Sequence, residues 1–116
     1  MVQLTLNLVQ GSVSCNFSPE AAKELQQEIS ILMDSLKAVA NRAASGSKSK
    51  PQPHETMEYR YRGEVFLEVF CNPNIYPSPF AAKILLTVRD DRIRITSEAE
   101  LTQLIEDLNL YLERTI

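Results

Sequence analysis

Histidine, cysteine and glycine are all scarce in this chain of 116 residues, which holds one, two and three of them. The single histidine, His54, stands in a Pro-rich stretch, so the chain assembles no catalytic triad, no two-histidine metal site and no rigidly held imidazole base. Three glycines cannot make a phosphate-cradling loop, and Gly11, Gly46 and Gly63 each fall where a turn or linker asks for one. Two cysteines cannot frame a disulfide-stapled mini-protein. Cys15 and Cys71 lie in alternating patterns whose ordinary occupant is a small buried thiol. Apolar runs stop after a few residues, which argues against a helical membrane span, and Met1-Val2-Gln3-Leu4 reads as strand rather than secretory leader. The cytoplasm is the expected location. Twelve Lys and Arg against fifteen Asp and Glu give a formal charge of −3. That balance argues against binding nucleic acid or anionic membranes over the whole surface and leaves room for a local patch.

What the chain does have is pattern. Its 44% hydrophobic content suffices for one core, and the length fits a single α+β domain over residues 1–116. A β-hairpin running into an amphipathic helix is written near each end. Leu4-Thr5-Leu6-Asn7-Leu8 and Val13-Ser14-Cys15-Asn16-Phe17 alternate around Gln10-Gly11, the period of strands with one buried face. Ser18 can then cap a helix, with Pro19 at its first position and Glu20 at the positive end of its dipole. Leu25, Ile29, Leu32, Leu36, Val39 and Ala43 follow on one stripe, to about Ala44. Six such groups, at roughly 1 to 3 kcal/mol each when buried, total on the order of 10 kcal/mol, comparable to a domain's net stability, so this stripe must be covered. At about 45–56 the chain turns to Ser, Gly, Lys and Pro, which neither pack nor sustain a helix, and a flexible linker is expected.

Met57 to Arg62, Gly63, and Glu64 to Phe70 predict a second hairpin, with Tyr59 and Tyr61 on one face and Arg60 and Arg62 on the other. Val65, Leu67 and Val69 against Phe66 and Phe70 make its second strand apolar on both sides, which suits a central place in a sheet. A stiff loop with Pro73, Pro77 and Pro79 follows. Ile84 to Val88 and Arg92 to Ile95 flank Asp90-Asp91, and Ser97-x-x-Glu100 reads as a capping box opening an acidic helix with Leu101, Leu104, Ile105, Leu108 and Leu112 on its stripe. Asp107 falls on or beside the wet face of that helix. The sum is ββα, linker, ββ, loop, ββα: an antiparallel sheet of five or six strands with both helices on one face.

No catalytic, cofactor-binding or metal-binding residues are expected. Asp90-Asp91 is the one tight carboxylate pair, and a hairpin turn is its ordinary use. The expected function is instead a non-enzymatic protein- or peptide-binding module, an adaptor, assembly factor or regulatory subunit. Its surface would be Phe66, Phe70 and Leu85 on the sheet face opposite the core, rimmed by Glu68, Lys83, Thr87 and Arg89, with Ile75, Tyr76 and Pro77 beside them. Tyr76 or Phe80 folding back over that face is the competing expectation. A peptide could also add to an edge strand, and either this face or the long helix could make a homodimer. Arg62-Gly63-Glu64-Val65-Phe66-Leu67 resembles the RNP1 element of RNA-recognition motifs, which implies aromatic stacking on bases. The resemblance spans six residues, with Glu64 where an aromatic is expected and without the βαββαβ order. It supports an alternative, RNA binding through Tyr59, Arg60, Arg62 and Arg94, which the interleaved carboxylates oppose by offering cross-strand ion pairs. A small enzyme with a site shared across a dimer is a third alternative.

Overall fold

The computed structural model describes residues 2–45 and 53–115. Its elements are β1 (Gln3–Leu8), β2 (Gly11–Asn16), α1 (Pro19–Ser45), β3 (Met57–Arg62), β4 (Phe66–Cys71), β5 (Lys83–Arg89), β6 (Arg94–Glu100) and α2 (Leu101–Arg114). This is the α+β order that the patterning predicts. Ser18 caps α1 as expected, its hydroxyl accepting the Ala21 N–H at 3.1 Å. Of the expected linker, residues 46–52 lie outside the described ones. His54 beyond them is tied down, its N–H donating to Asn74 Oδ1 and its carbonyl accepting from Asn74 Nδ2, both at 2.8 Å.

The strands divide into two sheets rather than one of five or six. β3-β4-β5-β6 form an antiparallel meander, and β1-β2 form a separate hairpin. At the outer edge of β1 the Asn7 N–H, a donor that a neighbouring strand would need, points at α2 and is taken by Asp107 Oδ2 at 2.8 Å, while Asn7 Nδ2 donates to Oδ1 at 2.8 Å. A helix side chain thus takes one of the groups that a further strand would pair with. Asp107 is correspondingly only 5% exposed, against its expected place at the wet face.

The start of α2 also differs from expectation. Residues 97–100 continue β6, paired with β5 through Leu86↔Ser97, Ile84↔Ala99 and Lys83↔Glu100, so the capping box does not form. Their amides and carbonyls serve the ladder, Ala99 is buried, and the Leu101 N–H reaches the Ala82 carbonyl at 3.1 Å.

One face of the meander builds the core. Met57, Tyr59, Leu67, Val69, Cys71, Ile84, Leu86, Val88 and Ala99 join a buried cluster with Leu25, Ile29, Leu32 and Leu36 of α1 and Leu101, Leu104 and Leu108 of α2. Both helices therefore cover the same side, and Gln26 Nε2 bridges them to Asn109 Oδ1 at 2.9 Å. The order places β4 and β5 centrally, as the two-sided apolar pattern of β4 predicts. Phe17, between β2 and α1, locks the hairpin to the rest: its ring meets Tyr61 edge-on at 4.6 Å and Tyr111 at 6.0 Å, and its carbonyl accepts the Tyr111 hydroxyl. Two turns need glycine. Gly11 has φ +120°, a conformation side chains rarely adopt, and a Cβ on Gly63 would run into the ring and hydroxyl of Tyr61. Cys15 and Cys71 are free and buried, as the patterning predicts.

Candidate functional site

Pleating sends the alternate residues of β3 to β6 to the face away from the helices. The registers Arg62↔Phe66↔Arg89↔Arg94, Arg60↔Glu68↔Thr87↔Thr96 and Glu58↔Phe70↔Leu85↔Glu98 lay them out in three cross-strand rows. The first row is basic around one ring, the second polar, the third apolar at its centre with a glutamate at each side. Leu85 is 41% exposed, and Phe66 and Phe70 are half-buried.

Interactions within this face are those of side chains packed on one another across a sheet, with Thr87 at its middle only 5% exposed. Arg60 Nε donates to Glu68 Oε2 at 2.8 Å, and Glu58 stands 4.0 Å from the same guanidinium. This is the cross-strand pairing expected from the interleaved charges. Lys83 Nζ lies 3.9 Å from Glu98, and the Thr87 and Thr96 hydroxyls are 3.4 Å apart. Arg62, Arg89 and Arg94 form no ion pair among the described residues. Two of them instead flank an aromatic ring, with the guanidinium carbon of Arg89 4.4 Å and that of Arg62 5.9 Å from the Phe66 centroid. Such contacts contribute about 0.5 to 1 kcal/mol at exposed sites. The sequence carried the residues for this clamp, but it becomes visible only once register puts Arg62, Phe66 and Arg89 in line.

The Pro-rich loop borders the face without closing it. Pro73–Ile75 and Pro79–Ala81 form two short 3-10 turns, the first fixed by Asn72, whose Oδ1 accepts the Asn74 N–H at 3.0 Å. Ile75 and Tyr76 stand beside Phe70, Leu85, Lys83 and Glu98 around a shallow concavity of about 150 Å³. Ile75 is 66% exposed, Pro77 is exposed and Tyr76 is half-buried. Phe80 is 85% exposed, so it does not lie over the face. Phe70, Leu85, Ile75 and Tyr76 are thus brought together, and Phe66 lies at the far end of the same face.

The residues of the RNA alternative are split up. Arg60, Arg62 and Arg94 share the uncovered face, whereas Tyr59 is buried on the core side with its hydroxyl donating to the Ala21 carbonyl at 3.1 Å. The RNP1-like residues 62–67 run through the β3-β4 turn, where the Gly63 N–H meets the Val65 carbonyl at 3.1 Å, rather than along a strand. Burial, with Glu24 adding to it, pushes the Tyr59 hydroxyl up to about 12, and burial pushes the Cys71 thiol from about 9 to about 11. Both pKa values are raised, so the neutral forms favour folding. That contribution is complete below the ordinary values and is lost as pH climbs through about 9 to 11 for the thiol and 10 to 12 for the phenol. Urea midpoints should therefore stay level through neutral pH and fall across that alkaline window. A flat profile to pH 12 would contradict the placement of both groups.

Asp90, the one candidate carboxylate in a tight pair, serves the β5-β6 turn. Its Oδ1 accepts the Arg92 and Ile93 N–H groups at 2.8 Å each, which lowers its pKa. Among the described residues no three His, Cys, Asp or Glu side chains converge on a common point, and no helix is long and apolar enough to cross a membrane. Compared with protein-family models, curated proteins and solved structures, the chain matches none.

Proposed function

We propose that this chain is a non-enzymatic protein- or peptide-binding module that docks its partner on the uncovered face of the β3-β6 sheet. One observation carries the reading: Phe66, Phe70 and Leu85 lie on a sheet face outside the helix-packed core, and Ile75 and Tyr76 extend it into a concavity at one end. Such an apolar centre with a polar rim is the anatomy of interfaces, and grouped exposed apolar side chains mark interaction sites more often than scattered ones do. The cytoplasm suits two free buried thiols, and adaptor or assembly roles fit a face that recognises without reacting.

The test is selection of binding peptides from a display library on the purified chain, with NMR shifts mapping where they sit. Shifts centred on Phe70, Leu85, Ile75 and Tyr76, and a loss of affinity of at least about tenfold in Phe66→Ser/Phe70→Ser at unchanged fold, support the docking face. Peptides mapping to the helices, or unfolding of the double variant, would remove it. RNA binding is the second reading, favoured by Arg62 and Arg89 against Phe66 and by Arg94 beyond them in the same row, none of the three in an ion pair among the described residues. Against it, both guanidiniums near that ring compete with a base, and Arg60 is held by Glu68. Affinity for mixed oligonucleotides that is strong at low salt and falls steeply with added salt is what RNA binding requires.

A further inference from the structure

The occupant of the uncovered face can be argued from its charge. Along the strands the face is polarised: Arg62 and Arg94 mark one end on the edge strands β3 and β6, and Glu58 and Glu98 mark the other end on the same two strands. On the central strand β4, Phe66 stands at the basic end and Phe70 at the acidic end. Both glutamates have only long ion pairs of 4.0 and 3.9 Å to Arg60 and Lys83, and the two arginines have none among the described residues.

Resting on the docking face proposed above, we propose that its partner is a second copy of this chain, related by a two-fold axis lying between the faces and across the strands over the Arg60-Glu68 row. That operation keeps each strand over its own counterpart and exchanges the ends. Arg62 then faces the second copy's Glu58, Arg94 faces its Glu98, and Phe66 faces its Phe70, each contact occurring twice as an isologous interface requires. The other face-to-face two-fold axis, running along the strands, stacks Arg62 on the second copy's Arg94 and Glu58 on its Glu98, so like charges oppose it. Only the first sets opposite charges over one another at the four corners; on its axis Arg60 and Glu68 meet their own counterparts, but the two are already paired with each other at 2.8 Å within each copy, and Leu85 meets Arg89. The twist of each sheet turns the stacked strands about 30° from parallel alignment without changing which ends meet.

Size sets the strength. Four strands at about 4.8 Å spacing and five residues at about 3.3 Å give a footprint of roughly 19 by 17 Å. This is below the 800 Å² or so per partner of a standard interface, so the dimer is weak. Sedimentation of the whole chain from about 10 µM to about 1 mM should show it, with the midpoint inside that range.

Charge exchange tests the geometry. Arg62→Glu/Arg94→Glu and Glu58→Lys/Glu98→Lys each place like charges opposite one another in the dimer, and each variant alone should associate at least about tenfold more weakly than the parent. Mixed in equal amounts, the two should form a heterodimer, because every introduced carboxylate then meets a cation and every introduced lysine a carboxylate. All four substitutions are at exposed positions, and a thermal melt of each variant establishes that it is folded. A parent chain that stays monomeric to about 1 mM, a mixture that stays monomeric, or a parent dimer indifferent to both variants would overturn the proposal. The wider reading falls separately: selected peptides that still map to Phe70 and Leu85 on a monomeric chain leave the docking face standing with another occupant.

Discussion

Phe17→Ala is expected to lower the melting temperature by about 20 °C and to leave much of the chain unfolded at physiological temperature. Truncating a buried phenylalanine costs about 3 to 5 kcal/mol, a large part of the 5 to 15 kcal/mol that domains have in total. For a domain of this size, each kcal/mol moves the melting point by roughly 4 to 8 °C at most. Phe17 is fully buried, and its neighbours explain why the site cannot easily collapse around a missing ring. Tyr61 approaches from the sheet at 4.6 Å, Tyr111 from α2 at 6.0 Å, and the backbone on either side belongs to β2 and to the capped start of α1. One void would therefore loosen hairpin, sheet and both helices together. The control is Phe66→Ala, the same truncation on the uncovered face, where the ring loses mainly its contacts with Arg62 and Arg89. There the cost should be about 1 to 2 kcal/mol, from the half-buried ring and its cation–π contacts. Circular dichroism melts of the two variants decide the matter: similar losses would mean that the division between core face and uncovered face is wrong.

The division between core face and uncovered face is legible in the sequence, because period two is a local property. The alternation of Tyr59 and Tyr61 with Arg60 and Arg62, and of Leu67 and Val69 with Phe66 and Phe70, assigns each side chain to a face without knowledge of its neighbours. The stripe from Leu25 to Leu36 and the Ser18-Pro19 start are local in the same sense, and the structure follows them. What could not be read depended on distant partners. Ser97 and Glu100 satisfy the spacing of a capping box, yet their segment pairs with β5 instead, since Ala99 gains burial against Ile84 that a helix start would not provide. Nothing local marks Tyr111, whose hydroxyl reaches the Phe17 carbonyl 94 positions away. In the site, the residue types were legible and their arrangement was not. The clamp on Phe66 and the end-to-end charge polarity both follow from register, which a hydrophobic pattern constrains only to the correct face.

The same distinction governs the second large effect, at Asp107. Asp107→Ala is expected to cost about 1 to 3 kcal/mol, because it takes the acceptor from a partly buried N–H, and bonds to a charged group are worth more than neutral ones. The carboxylate accepts from the Asn7 N–H at 2.8 Å, from Asn7 Nδ2 at 2.8 Å and from Gln103 Nε2 at 2.9 Å. The two side-chain amides can turn to water when it is gone. The backbone N–H of β1 is less free to do so, being held by the pairing with β2 and facing α2, so the loss concentrates on the hairpin. Native-state hydrogen exchange should show it: amides of β1 and β2 should open far more readily in the variant, while those of β4 and β5 lose only what the global stability loses. Asp107→Asn separates the backbone bond from the rest, since the amide keeps the volume and one accepting oxygen, enough for the Asn7 N–H, and gives up only the side-chain amide bonds. It should recover most of what alanine loses. If asparagine is no better than alanine, or if hairpin exchange is unchanged in Asp107→Ala, then Leu4 and Leu6 hold β1 against the helix by burial alone.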